Sequence, residues 1–244
     1  MLITIINPTI SSIWDETTLE TYASAARPGT RLQVVSLKWG PASIEARVDD
    51  ALATPGILER VKEAESDGAS AVIIDCMNDP ALYAARETVR IPVIGPAEAS
   101  MHLAGMLAHR FSIITTGRDD IPAVEELVER YQLSARLASV RALEIPVLAL
   151  DSDPQATLHA GWEVAAAAIR QDGAGAIILG CTHLANLASQ IKGELAKLGL
   201  TVPLLNPSLV ALRLAETLVS LGQVHSLLSY SPVGEKKQRF PDLI

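Results

Sequence analysis

Two cysteines stand at matching places in the chain. The segment Asp67-Gly68-Ala69-Ser70-Ala71-Val72-Ile73-Ile74-Asp75-Cys76 returns as Asp172-Gly173-Ala174-Gly175-Ala176-Ile177-Ile178-Leu179-Gly180-Cys181, with six of ten positions identical. Each cysteine ends a short apolar, β-branched run that reads as a strand, and each precedes a stretch with helical patterning. A lone cysteine in such a chain reads as a small buried hydrophobe. A pair at equivalent stations of a repeat reads as chemistry. A thiol near a helix N-terminus has its thiolate favoured by the peptide dipoles, from an unperturbed pKa of about 8.5. Two such groups facing each other across a carbon could take a proton from one face and deliver one to the other. A single base tends to return the proton to the face it came from, so inverting a carbon acid calls for two.

Ligands in open parallel sheets sit outside the carboxyl ends of the strands. The residues that follow each strand are Asn7-Pro8-Thr9, Trp39-Gly40-Pro41, Cys76-Met77-Asn78-Asp79, Thr115-Thr116-Gly117 and Cys181-Thr182-His183. The hydroxyls of Thr115, Thr116 and Thr182, with helix N-terminal amides, are candidate donors to a developing enolate or carbanion. His183 reads either as a group that tunes Cys181 or shuttles its proton, or as a partly buried polar residue at a helix start. Strand alternation points Asp75 away from the site. Asn78 and Asp79 read as caps of a helix beginning near Pro80, with Asn78 also able to touch substrate. Trp14, Trp39 and Trp162 read as packing, although Trp39 beside the Gly40-Pro41 loop could line a pocket.

The repeat extends to the elements that must position these residues. Ile91-Pro92-Val93-Ile94-Gly95-Pro96 corresponds to Val202-Pro203-Leu204-Leu205-Asn206-Pro207, and an Ala/Leu-rich helical pattern follows each. Ile3-Thr4-Ile5-Ile6-Asn7-Pro8 and Phe111-Ser112-Ile113-Ile114-Thr115-Thr116 open the two halves alike. Strands are expected at 2–6, 32–37, 71–75, 92–94, 111–115, 136–143, 175–179 and 202–205. Helices are expected at 57–66, 97–109, 121–132, 154–171, 184–198 and 208–221, with openers such as Asp120 before Pro122 and Asp153 before Pro154. The alternation predicts an α/β fold of two pseudo-symmetric lobes, each a parallel sheet flanked by helices. The composition agrees: of 244 residues 49% are apolar but 4% aromatic, which suits helix-covered parallel strands.

Several classes are excluded. The net charge is −8 and the basic residues are scattered, which argues against nucleic acid. The short run Lys236-Lys237-Gln238-Arg239 reads as a solvated tail. No Gly-rich dinucleotide fingerprint follows the first strand and no Walker A motif occurs, so no nucleotide cofactor is expected. The two cysteines form neither a zinc pattern nor a CxxC motif, so no metal is expected. The apolar start from Met1 to Ile6 lacks a basic leader, and no run of about 20 apolar residues occurs. A cytoplasmic protein with reduced thiols, acting on a small molecule away from membranes, is the expectation.

A set of motifs spans nearly the whole chain: Asn7-Pro8 after the first strand, Gly40-Pro41-Ala42-Ser43-Ile44-Glu45, Asp79-Pro80-Ala81-Leu82, Pro92-Val93-Ile94-Gly95-Pro96-Ala97-Glu98-Ala99, Phe111-Ser112-Ile113-Ile114-Thr115-Thr116, and Tyr230-Ser231-Pro232 with Lys236-Lys237. Together they resemble the aspartate/glutamate/hydantoin racemase superfamily, nearest its hydantoin (allantoin) racemase branch. The resemblance implies a cofactor-independent two-lobed racemase with its active site in the cleft, and a homo-oligomer. It maps the catalytic pair onto Cys76 and Cys181. Substrate contacts map onto Asn7, Gly40, Pro41, Asn78, Thr115, Thr116, Thr182 and His183. An exchanged last helix would assign 97–207 to one lobe and 1–96 with 208–244 to the other. Departures from the branch occur at Thr9 and Ile10, at Met77-Asn78, and at Thr182-His183, where the motif resembles that of amino-acid racemases and points toward an anionic carboxylate. The alternatives are therefore a free aspartate- or glutamate-type racemase, a sister decarboxylase or isomerase, and a non-catalytic binding protein. The decarboxylases of this superfamily need one cysteine, so the presence of both counts against them.

Overall fold

The computed structural model describes residues 1–232 and Gly234, so the basic run at 236–239 lies outside the described residues. The first half runs β1 (Leu2–Asn7), α1 (Asp15–Ala23), β2 (Arg31–Ser36), α2 (Arg47–Ser66), β3 (Ala71–Ile74), α3 (Leu82–Arg86), β4 (Val93–Ile94), α4 (Pro96–Leu107). The second runs β5 (Phe111–Thr115), α5 (Ile121–Arg130), β6 (Leu137–Ala142), α6 (Pro154–Asp172), β7 (Ala176–Leu179), α7 (Ala188–Lys197), β8 (Leu204–Leu205), α8 (Pro207–Ser220). A 3-10 segment, Thr182–Leu187, joins β7 to α7. The two four-stranded sheets have the orders β2-β1-β3-β4 and β6-β5-β7-β8, parallel throughout. The sequence repeat is thus a repeat of topology: Ile6 pairs with Ile74 in one sheet as Ile114 pairs with Leu179 in the other.

Both central strands β3 and β7 are buried along their whole length. Helices cover each sheet face, which is why these strands are continuous apolar runs rather than alternating ones. In the first sheet Ile6, Val72 and Ile74 pack with Ile57 and Val61 of α2 and Leu82 of α3. Ile3, Ile5 and Ile73, pointing to the other face, pack with Tyr22 of α1 and Leu212 of α8. The last helix of each half crosses over. Helix α4 follows β4, yet its Ala97, Met101 and Ala104 pack with Phe111, Ile113 and Ile178 of the second sheet. Helix α8 follows β8, yet its Ala211, Leu212 and Ala215 pack with the first sheet, and α4 and α8 lie against each other.

Two local expectations are corrected. Helix α2 begins at Arg47, not 57, and runs through Pro55. A proline removes one helical N–H and normally ends a helix. Here the Asp49 carboxylate accepts the N–H groups of Glu45 (3.1 Å) and Ala46 (3.0 Å) and secures the start. Gly56 then lets the helix approach the Trp39 carbonyl, which a Cβ would meet at 2.8 Å. The second correction concerns the first cysteine. No helix opens beside Cys76; a turn follows, and α3 begins only at Leu82 after Ala81 at φ 58°. No helix among the described residues is long and apolar enough to cross a membrane.

Candidate active site

The crossovers leave β1 and β3 in opposite directions across the sheet, and those of β5 and β7 do the same. This is the switch-point geometry at which a crevice opens beyond the strand ends. The strand ends of both halves line one cavity, open to solvent. Asn7, Asp75, Cys76 and Asn78 come from the first half, and Thr115, Thr116, Cys181, Thr182 and His183 from the second. Gly40 and Pro41 do not line it. A Cβ on Gly40 would lie 3.1 Å from Leu37, and the Pro41 carbonyl accepts the Ile10 N–H (3.0 Å). These two residues brace the loop, and Ser43 and Ile44 further along it reach the cavity. Trp39 is 43% exposed and lies off the lining; Trp14, read as packing, is part of it.

Burial dominates the electrostatics of both thiols. It pushes Cys76 well above the usual thiol range, and the Asp50 carboxylate adds to the rise, against one N–H contact from Asn78 (3.5 Å). It pushes Cys181 up to about 12, despite the backbone N–H groups of His183 and Leu184, with Asp75 adding to the rise. The expected lowering by helix dipoles is therefore overturned. Cys76 has no helix beside it, and Cys181 precedes only a 3-10 segment, so desolvation outweighs the donors. His183 places Nδ1 3.8 Å from the Cys181 sulfur, and its ring lies 4.5 Å from that of Trp14. Burial lowers the His183 pKa, so its imidazole is neutral at pH 7.

The polar groups around the thiols are largely committed. Asp120 Oδ2 accepts from Thr115 Oγ1 (3.2 Å), Thr116 Oγ1 (3.1 Å) and the Gly117 N–H (3.0 Å). Each threonine hydroxyl has one proton to give, so both present lone pairs to the cavity and not the donors expected of them. Asp75 is among the cavity-lining residues, but its carboxylate is turned, as strand alternation predicts, to α1 and α8. Its Oδ1 accepts from Tyr22 (2.8 Å) and Ser208 (3.3 Å), and burial raises it to about 6. Thr182 Oγ1 donates to the Asp75 carbonyl (3.4 Å), a bond between the halves at the level of the cysteines. Asn78 donates to both Asp50 oxygens (3.3 Å each), and Asn7 donates to Asp15 (2.6 Å). Asp79, expected to cap a helix at Pro80, instead accepts the Ala97 and Glu98 N–H groups of α4. Thr9 Oγ1 is buried without a partner.

Sequence reasoning missed Asp50, Asp120, Ser43 and Ile44 as site residues. Asp120 carried a signal: it lies four and five positions after Thr116 and Thr115, within reach across a turn. Asp50 carried none, because the main chain that brings it to Asn78 belongs to the part of α2 hidden behind Pro55. Two charge facts stand out. Among the described residues, no lysine or arginine lines the cavity, while Asp75 and Asp120 do. Among the described residues, no group of three or more His, Cys, Asp or Glu could hold a metal ion.

Comparisons with known proteins identify the family and the fold. The family model Asp/Glu/Hydantoin racemase matches residues 3–215. A hydantoin racemase from Pseudomonas sp. (strain NS671) is 37% identical over 238 residues, covering 98% of this chain and 94% of that protein. The solved structure of an allantoin racemase from Klebsiella pneumoniae superposes with a TM-score of 0.92 at 34% identity, covering 98% of this chain and 96% of that one. Allantoin racemase from Pseudomonas fluorescens gives a TM-score of 0.92 at 31% identity, covering 98% of this chain and 100% of that one. The chain is a member of the Asp/Glu/hydantoin racemase family.

Proposed function

We propose that this protein is a cofactor-independent racemase that inverts the acidic C–H centre of a neutral, N–H-bearing ring, such as a 5-substituted hydantoin or a related ureide. Cys76 and Cys181 are the paired acid and base. The observation that carries the reading is a cavity lined by both thiols and, among the described residues, by no lysine or arginine. A dicarboxylate brought within ~4 Å of the Asp120 carboxylate would meet about 4 kcal/mol of repulsion per charge pair at an effective dielectric of about 20. A neutral ring meets none, and its N–H groups find acceptors in the Thr115 and Thr116 lone pairs. The Asp120 carboxylate thus disfavours the anionic substrate toward which Thr182-His183 pointed.

One thiolate removes the proton from one face of the carbon, and the electron pair passes into the adjacent carbonyl as an enolate. The other thiol delivers its own proton to the opposite face, and the two sulfurs have then exchanged states. Close like charges keep the pair at a single negative charge. A thiolate of high basicity suits a weak carbon acid. The lobes, taken as 97–207 and as 1–96 with 208–244, would carry one cysteine each; 233 and 235–244 lie outside the described residues. The reading is tested with single enantiomers of 5-benzylhydantoin, allantoin, glutamate and aspartate, followed by optical rotation. Loss of rotation from a ring compound is expected. Turnover of the free amino acids alone would overturn the substrate class.

A further inference from the structure

The loop after each cysteine is tied to the first turn of a helix that sits on the opposite sheet. After Cys76, the Asp79 N–H donates to the Cys76 carbonyl (3.1 Å). The Asp79 carboxylate then reaches the start of α4: Oδ1 accepts the Ala97 N–H (3.1 Å), and Oδ2 accepts the Glu98 N–H (2.8 Å). Oδ2 also accepts from the hydroxyl of Tyr131, which packs with α5 (2.6 Å). Helix α4 packs on the second sheet, so the first-half cysteine is referenced to the second half.

After Cys181 the same turn recurs: the Leu184 N–H donates to the Cys181 carbonyl (3.1 Å). Here the polar side chain comes from the helix and not from the loop. Asn206 caps α8 by accepting the Leu209 N–H (3.2 Å), and its Nδ2 donates to the Ala185 carbonyl (3.2 Å). Helix α8 packs on the first sheet, so the second-half cysteine is referenced to the first half. Gly95 and Asn206 occupy the same station of the repeat. Gly95 is what leaves room for the first tie, since a Cβ there would fall 2.4 Å from Asp79 Cγ. Asp79 is 2% exposed and sits at φ 46°, a left-handed backbone that persists where surrounding bonds over-determine it.

We propose that Asp79 and Asn206 are the positioning residues of the two thiols, Asp79 for Cys76 and Asn206 for Cys181. Together they set the gap into which the substrate carbon must fit. Two thiols on different lobes serve one carbon only if both stand within reach at once, and a misplacement of about 1 Å costs about 100-fold in rate. Each tie anchors a cysteine loop to the opposite sheet, so a shift of one lobe carries the anchor of the other thiol with it. Neither side chain lines the cavity, so each acts through the cysteine it holds. The consequence for turnover rests on the racemase reading; the placement of the thiols does not.

The test separates the two. The full-length wild type and the variants Asp79→Asn, Tyr131→Phe and Asn206→Ala are treated with iodoacetamide, and alkylation of each cysteine is followed by peptide mass spectrometry. Asp79→Asn is expected to change the rate at Cys76 by about fivefold or more and to leave Cys181 within about twofold. Asn206→Ala is expected to do the reverse. Tyr131→Phe removes one donor and no carboxylate; it is expected to move Cys76 in the same direction by a smaller factor, and it decides the first tie if Asp79→Asn does not fold. Rates that change together at both cysteines in every variant, or in none, would overturn the proposal. In parallel, kcat for racemisation is expected to fall about tenfold in Asp79→Asn with little change in KM. A wild type that alkylates normally but turns over no substrate would count against the racemase reading and leave the alkylation result to decide the ties.

Discussion

Gly180 stands where the first half has Asp75, and the second half has no room for a side chain there. A Cβ on Gly180 would lie 2.6 Å from the Ile114 carbonyl oxygen and 3.0 Å from Ile113 Cγ2. The Gly180 N–H donates to that same carbonyl (2.7 Å), so the backbone cannot withdraw without losing the bond. Ordinary contact begins near 3.4 Å, so relief needs a shift of about 0.8 Å (3.4 less 2.6). Cys181 is the next residue and moves with it. Gly180→Ala is therefore expected to lose about 100-fold in kcat/KM, read by polarimetry on a single enantiomer. Overpacking should also cost about 1–3 kcal/mol of stability, or about 2–4 °C of Tm per kcal/mol, read by calorimetry. Gly193→Ala is the control: it lies on α7 with nothing within 4 Å of the added carbon, and it should be neutral or gain up to about 1 kcal/mol. Wild-type turnover and an unchanged Tm in Gly180→Ala would refute the reasoning.

Three carboxyls, two buried and one half-buried, are raised by desolvation: Asp79 to about 7, and Asp75 and the half-buried Asp50 to about 6. Between their unfolded and folded pKa values the native state binds more protons than the unfolded one, so their contribution to stability falls as pH rises through about 4 to 7. Burial of His225, which lowers it to about 4, works the other way but through a smaller total shift than the three carboxyls, so Tm should be higher at about pH 5 than above pH 7, and Asp75→Asn should flatten part of that slope; a Tm that climbs with pH through this window contradicts the raised carboxyls. Because burial also raises both thiols, alkylation of the free enzyme should keep accelerating beyond about pH 9, and a plateau below the ordinary thiol range would contradict it. Trp14 shields His183, so Trp14→Leu should let the imidazole pKa rise toward its ordinary value, as read by NMR titration; an unchanged titration would deny that shielding.

The strands were legible because the fold buries them on both faces: runs such as Ala71-Val72-Ile73-Ile74 admit little else. The repeat made the cysteines a pair, and the observed topology repeats with it. What lay hidden was what side chains do across the halves. Asp79 beside Pro80 looks like a local cap, and nothing in its spacing says that its carboxylate belongs to a helix 17 residues on, at Pro96. Trp14 and His183 meet only because α1 and the 3-10 segment after β7 come together. The thiol pKa was misjudged for a related reason. Helix dipoles are visible in a sequence, whereas burial, which here outweighs them, is not.

The most direct measurement follows each enantiomer of 5-benzylhydantoin in deuterated buffer with the wild type, Cys76→Ser and Cys181→Ser, reading rotation and C5 deuterium together. Enantiomers have equal free energy in an achiral solvent, so any variant must lower kcat/KM for racemisation equally in both directions. Proton exchange carries no such constraint, and the different surroundings of the cysteines allow it to differ. The account predicts that the wild type loses rotation from either enantiomer with deuterium uptake well above the buffer rate. It predicts that each variant loses racemisation, with residual exchange favouring one enantiomer in Cys76→Ser and the other in Cys181→Ser. Racemisation that survives at the wild-type rate without either cysteine would contradict the two-thiol mechanism.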